Sequence, residues 1–292
     1  MKLARFILCT LYAGFTLTFI SCTDHQVPEE SQWRVKSLTR VLPDSPGTWF
    51  ISQFSYDADG KIGSIFTYQT PDSASSQTEK SIYKYDPWGR LSQMERTLST
   101  SGSERYVYNY DQSGLLSKIN YTGALNDFYD VTFTYDSSGK LLSSKRSFHF
   151  FSAFSYEQLI NYSFSTDDLN SIHSETTFSK GVSQTSIVNS LLVFDGHKNP
   201  FYGNYIIPAP VKIASPITGD FQHYTYYGGI DNFLHLNKNN LVSSLVKGLT
   251  QTSYAYTYHA SGMPASRKTL VKVMLDRPEV LEETLYYEYE QF

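Results

Sequence analysis

Histidine, cysteine and paired carboxylates carry most enzyme and metal chemistry, and in this chain they are scattered. His25, His149, His173, His197, His223, His235 and His259 follow no His-Glu-x-x-His spacing, and neither Cys9 nor Cys22 stands at a metal-ligand interval from any of them. Each histidine reads as a strand or loop residue. No Gly-x-Ser-x-Gly elbow, phosphate loop or dinucleotide fingerprint occurs. Asp57-Ala58-Asp59-Gly60 shares the opening spacing of a calcium loop but lacks its later acidic positions and distal Glu. Asp167-Asp168, with Glu157 and Glu175 nearby in sequence, is the remaining carboxylate grouping, and a solvated loop explains it. These residues predict no enzyme, no metal and no cofactor. An enzyme whose groups converge from distant strands stays as the third reading of function.

Aromatic residues offer a different chemistry, that of binding. Trp88 falls at the tip of a turn, where it either stacks on a ligand or folds down onto a neighbouring hairpin. The densest aromatic segment, Phe148 to Tyr156, contains Phe150, Phe151 and Phe154. Tyr226 and Tyr227 lie in the next densest. Consecutive aromatics cannot all face inward on a strand, so some meet solvent, a partner or a ligand. Trp88, Phe150, Phe151, Phe154, Tyr226 and Tyr227 are therefore the candidate ligand-binding residues.

The elements that position them are hairpins. Tyr85-Asp86-Pro87-Trp88-Gly89-Arg90-Leu91 recurs with the same Tyr-Asp and Gly spacing from Tyr56 to Ile62, Tyr110 to Leu116 and Tyr135 to Leu141. In each copy the Asp (Asp57, Asp86, Asp111, Asp136) opens a type I turn, its carboxylate accepting backbone N–H groups further on. The Gly (Gly60, Gly89, Gly114, Gly139) takes the left-handed position of a G1 bulge. That register predicts four cross-strand pairs: Tyr56–Ile62, Tyr85–Leu91, Tyr110–Leu116 and Tyr135–Leu141.

Before each turn, alternating aromatics place the tyrosines on one face, while Lys84, Asn109, Thr132 and Thr134 make the other face wetter. The turns recur at spacings of 29, 25 and 25 residues, room for two strands and a looser return connection. With 24 Tyr and 19 Phe, the chain is predicted to be all-β: a large antiparallel meander of Tyr-Asp hairpins forming a strongly curved or barrel-like sheet. The first strand is expected at Trp49 to Tyr56. Worn copies of the turn begin at Phe164 and Phe194, a clearer one at Tyr258, and Leu285, Tyr287 and Tyr289 supply a last strand. Prolines 200, 208, 210 and 216 predict an irregular insertion over 199–222 within a single domain spanning 33–292.

The N-terminal 21 residues read as a secretory signal: Lys2 and Arg5 precede an apolar run from Phe6 to Ile20. Phe19-Ile20-Ser21-Cys22 resembles the lipobox of bacterial lipoproteins, with Cys22 as the lipid acceptor and residues 22–32 as a polar tether. An ordinary cleaved signal is the alternative. With Cys9 in the signal, Cys22 has no disulfide partner, which favours lipid attachment. The net charge of −4 and the lack of a basic stripe argue against nucleic acid.

The Tyr-Asp-x-x-Gly-[Lys/Arg]-[Leu/Ile] units resemble the YD (RHS-type) repeat, whose large members wrap hairpins into a shell. Four copies are too few for that shell. Cys22, Lys198-Asn199-Pro200-Phe201, Asn239-Asn240-Leu241-Val242-Ser243 and Tyr286-Tyr287-Glu288-Tyr289 resemble bacteroidete lipoproteins with such repeats. That likeness implies a porin-like antiparallel sheet and no known active residues. An integral outer-membrane barrel is a rival, but Phe292 is out of phase with Leu285, Tyr287 and Tyr289. The expected protein is anchored by lipid at the outer membrane or cell surface, with the periplasmic face open as an alternative. Its expected role is to bind a glycan, peptide or envelope protein. A scaffold docking other envelope components through its sheet edge or aromatic ladder is the second reading.

Overall fold

In the first Tyr-Asp turn, the Asp57 N–H donates to the Lys61 carbonyl at 2.8 Å and the Gly60 N–H donates to the Asp57 carbonyl at 3.1 Å. Asp57 Oδ1 accepts the N–H groups of Asp59 and Lys61 at 3.0 and 2.9 Å. The turns at Asp86, Asp111 and Asp136 repeat this pattern bond for bond. Glycine is required by the backbone itself: φ is +77° at Gly60 and +82° at Gly114, where a Cβ is strained. Each turn pairs its Tyr with the aliphatic six residues on, and the ladder shifts by one residue just before the Tyr, as a bulge demands. Tyr258–Pro264 is a fifth copy with the same two backbone bonds, although His259 replaces the capping Asp.

The computed structural model describes residues 32–99, 102–123, 128–150, 154–204, 236–246, 250–273 and 277–292. They form sixteen strands. These are β1 (Trp33–Val41), β2 (Trp49–Tyr56), β3 (Ile62–Thr70), β4 (Glu79–Tyr85), β5 (Leu91–Leu98), β6 (Gly102–Tyr110), β7 (Leu116–Thr122) and β8 (Phe128–Tyr135). The second half has β9 (Leu141–Phe150), β10 (Phe154–Ser165), β11 (Asp168–Lys180), β12 (Val182–Lys198), β13 (Asn239–Val246), β14 (Thr250–Tyr258), β15 (Pro264–Val273) and β16 (Val280–Gln291). Each strand pairs with its neighbours in sequence, and β1 meets β16, so the meander closes into a barrel. The main body spans Arg34–Glu290. Of the smaller unit, which takes in the chain up to Trp33 together with Gln291–Phe292, the described bond runs from the Phe292 N–H to the Gln32 carbonyl at 3.2 Å.

The first strand begins earlier than the sequence pattern predicts. β1 precedes the Trp49 strand, and its Arg34, Lys36 and Arg40 dilute the apolar alternation that would mark it. Its partners are distant in sequence. Arg34 pairs with Glu290 at 2.7 Å, Ser37 donates to Glu288 at 2.8 Å, and Arg40 pairs with Glu283 at 2.7 Å, stitching the seam where the sheet closes.

Sixteen-stranded porins enclose an aqueous channel. Here the inward face is apolar and packed. Tyr106, Tyr121 and Tyr129 pack across β6, β7 and β8, the first pair tilted with ring centroids 4.9 Å apart and the second stacked at 4.4 Å, among Val35, Ile65, Met94, Ile119 and Leu285. Two buried charges in it are paired: Arg96, 1 % exposed, lies 2.8 Å from Glu79 and 2.7 Å from Glu104. Buried Arg267 pairs with Glu283 at 2.8 Å.

The outward face is polar over much of the sheet. Cross-strand pairs Lys84–Glu95 (3.5 Å), Lys118–Asp130 (2.8 Å) and Lys145–Glu157 (3.0 Å) run along it. Between them Arg105 donates to Gln93 and Asn109 to Asn120, each at 2.8 Å. Exposed apolar residues on β12 (Ile187, Leu191 and Val193) face Glu175 and Ser171 across the β11 ladder and Ser243 on β13.

Candidate functional site

Alternate connections of an up-and-down meander fall at one end of the barrel, and all the Tyr-Asp turns lie at the same end. Between the first three of them a cavity of about 420 Å³ opens. Its wall comprises Gly60, Lys61 and Ile62 from the first turn, Tyr85, Gly89, Arg90 and Leu91 from the second, Tyr110 and Gly114 from the third, and Tyr83 below. Gly203 and Asn204 complete it from the chain that follows β12. The volume is that of an ordinary small-molecule pocket.

The residue after each Gly points at the next hairpin. Lys61 Nζ lies 5.4 Å from the Tyr85 ring centre. The Arg90 guanidinium lies 4.2 Å from that of Tyr110. Lys140 over Phe164 repeats the arrangement, and Arg34 on β1 lies over the Tyr56 ring. Lys61 also rests against Gly89, and Arg90 against Gly114, so those glycines serve the packing between turns as well as the turns themselves. Arg90 Nε donates to Asp86 Oδ2 at 2.7 Å. Partial desolvation pushes Asp86 up, but the Arg90 amide, the guanidinium and the Trp88 amide outweigh it and hold the carboxyl below its usual range. Burial pushes the Tyr85 phenol up to about 12, with Asp57 adding to the effect. Its hydroxyl is committed to the Ile62 carbonyl at 2.9 Å, and that of Tyr110 to Leu91 at 2.8 Å.

The segment after β12 is pinned as a plug. Asn199 Oδ1 accepts the Phe201 N–H at 3.0 Å, and its amide donates to the Asn237 carbonyl at 2.8 Å. Phe201, 5 % exposed, packs 6.2 Å from Phe54 and 6.4 Å from Tyr287, ring centre to ring centre. Asp195 holds the other side. Its Oδ1 accepts the N–H groups of His197 (2.9 Å) and Asn240 (3.2 Å), and its Oδ2 accepts the Tyr258 hydroxyl. Asn240 thus supplies the amide that the fourth residue on supplies in an intact Tyr-Asp turn. The Lys198–Phe201 and Asn239–Ser243 motifs, far apart in sequence, meet to build one support.

Trp88 is 78 % exposed at the rim, its ring 4.9 Å from the Arg90 guanidinium, which lies between Trp88 and Tyr110. Phe150 and Phe154 pair through their backbones across β9 and β10. Their side chains, together with Phe151, Tyr226, Tyr227 and Cys22, lie outside the described residues. So does the 199–222 insertion beyond Asn204, whose first six residues are the plug turn. The Asp167–Asp168 grouping does not gather a carboxylate site: Asp168 caps Asn239, and Asp167 lies 3.3 Å from Lys238. Among the described residues no three His, Cys, Asp or Glu side chains assemble to hold a metal. Lys61, Arg90, Gly203 and Asn204 were not singled out as site residues from sequence, and Phe201 entered there only within the Lys198–Phe201 motif. The recurring Lys or Arg after the turn Gly was the available signal for the first two.

Fold and site define a closed antiparallel β-barrel with a filled lumen, an exterior polar over much of the sheet and a turn-lined pocket at one mouth. No family model matches the sequence, and no curated protein matches it. Among solved structures, it is similar to a porin-like protein from Bacteroides uniformis, with a TM-score of 0.56 and 13% identity over 87% of this chain and 96% of that one. A porin-like protein from Bacteroides vulgatus aligns with a TM-score of 0.39 and 11% identity over 89% of this chain and 99% of that one. At such identity the first likeness is one of fold.

Proposed function

We propose that this protein is a lipid-anchored envelope binding module, held by Cys22, whose barrel stands outside the bilayer and takes a glycan or peptide ligand at the Tyr-Asp mouth. The observation that carries this reading is the 420 Å³ cavity between three turns, with an exposed tryptophan at its rim. The porin-like neighbours support an envelope barrel, and the repeats with Cys22 support the finer assignment to bacteroidete Tyr-Asp-repeat lipoproteins. A barrel that spans a membrane wears an apolar band outside, and charges at its midplane cost about 2–4 kcal/mol each. Lys84, Lys118 and Lys145 with their partners put charges on the exterior of β4 to β10, among exposed Ile82, Phe128 and Leu142, where such a band would be apolar throughout.

A scaffold docking through its sheet edge lacks the means, because a closed barrel has no free edge strand. A catalytic role finds little support: the turn carboxylates are occupied by backbone amides, and Asp195 is fully engaged.

The test is a screen of the purified protein against envelope glycans and peptides, read by tryptophan fluorescence and repeated with Trp88→Ala. Saturable binding that Trp88→Ala weakens supports the mouth as the site. Binding indifferent to Trp88→Ala and to Arg90→Ala moves the site elsewhere. For the anchor, metabolic labelling with a palmitate analogue is expected to mark the wild type and leave Cys22→Ala unlabelled; equal labelling overturns it.

A further inference from the structure

We propose that the mouth cavity selects a small organic anion and holds its carboxylate between Lys61 and Arg90. This rests on the reading of the mouth as the ligand site and names the chemistry it accepts.

Among the described residues, Lys61 and Arg90 are the only charged side chains in the wall. The Lys61 ammonium is 3.9 Å from Asp59 Oδ2, beyond hydrogen-bond reach, and has no acceptor of its own among the described residues. Arg90 spends its Nε on Asp86, and neither terminal nitrogen finds an acceptor among the described residues. The phenols that would suit a neutral ligand are engaged, since the Tyr85 and Tyr110 hydroxyls bond the backbone. Ile62 and Leu91 supply apolar wall. The strong open donors are therefore cationic. Both cations are held in place, each stacked on a tyrosine ring and resting on a glycine of the next turn. Little side-chain freedom is lost when an anion arrives, and a guanidinium and an ammonium lining one cavity are the donors that suit a carboxylate.

The test is calorimetric titration of the purified protein with two matched pairs of probes. One pair is a disaccharide ending in glucuronic acid and its methyl ester; the other is an acetylated tripeptide with a free C-terminus and its C-terminal amide. At least one acid is expected to bind, with its neutral counterpart about tenfold weaker or worse. Which acid binds tells a saccharide source from a peptide source. Lys61→Gln is expected to weaken binding about tenfold with unchanged melting, and Lys140→Gln, the same repeat position three turns on and outside the wall, to leave it intact. Equal binding of acids and neutral counterparts overturns the anion assignment while leaving the mouth as the ligand site. Acid binding that falls equally in both lysine variants overturns the placement at Lys61. Silence from all four probes overturns the carboxylate class, and the wider screen then decides the binding reading separately.

Discussion

The Tyr110 hydroxyl donates to the Leu91 carbonyl at 2.8 Å, joining one hairpin to the residue that closes the turn of the hairpin before it. Tyr85 does the same to Ile62 at 2.9 Å, Tyr135 to Leu116 at 2.7 Å and Tyr289 to Pro264 at 2.9 Å. Tyr56 bonds Val35 on β1 at 2.5 Å. The cause lies in the ladder. Pairing between β5 and β6 ends at Gln93–Val107, two residues short of Leu91, so that carbonyl has no strand partner on the next hairpin. A phenol reaches where a backbone N–H does not, and the half-buried carbonyl is satisfied.

Removing one phenol oxygen leaves a carbonyl unpaired. Tyr135→Phe and Tyr289→Phe are each expected to lose about 1–2 kcal/mol of stability in urea unfolding. Both lie outside the cavity wall, so the binding of any ligand found there is expected to stay unchanged.

The turn glycines divide by what lies beside them. Gly262 has φ +80° and open space around it, so Gly262→Ala meets backbone strain alone, about 1–2 kcal/mol. Gly89, at φ +76°, carries the same strain, and its new methyl would also displace the Lys61 ammonium from its seat against that glycine. Similar losses of melting temperature are expected in both variants, with weakened carboxylate binding in Gly89→Ala only. Equal binding in the two would show that the position of Lys61 is immaterial.

Phe201 is the anchor of the plug. Phe201→Ala opens a void between Phe54 and Tyr287 and is expected to destabilise the barrel by about 3–5 kcal/mol, measured by chemical denaturation.

Glu283 makes the seam sensitive to acid. Burial pushes its carboxyl up, but Arg267 and Arg40 outweigh burial and hold it below the ordinary value of 4.5. A depressed folded value means that its stabilisation is present above 4.5 and is lost as pH falls through the lower folded value. At neutral pH, Glu283→Gln leaves Arg267 buried without its carboxylate and is expected to cost about 3–5 kcal/mol. The gap between wild type and variant is expected to narrow as the pH is lowered from 5 toward 3, followed by unfolding curves at each pH.

The hairpins were legible in the sequence because everything that makes them is local. An Asp cap, a left-handed Gly and an aromatic before the Asp act within seven residues, and the cross-strand pairs Tyr56–Ile62 to Tyr135–Leu141 follow from the turn alone. The alternation that buries Tyr83 and Tyr106 and wets Lys84 and Asn109 is equally local, since it comes from the two-residue period of a strand. A curved antiparallel meander could be read from these features, and the closed sheet agrees with it.

Closure itself was not legible. It depends on β1 finding β16, a contact between segments about 250 residues apart that rests on pairs such as Arg34–Glu290. No pattern in either strand names the other. The fate of Trp88 was likewise open, because it depends on where Arg90 goes, and Arg90 goes to the next hairpin's Tyr110. The sequence by itself determined the turns, their register and the inward face, all set by bonds and sterics between near neighbours. Only the tertiary structure decided that the sheet closes, that Phe201 plugs one mouth and that two cations share a pocket, because those depend on surfaces that meet only once the hairpins stand side by side.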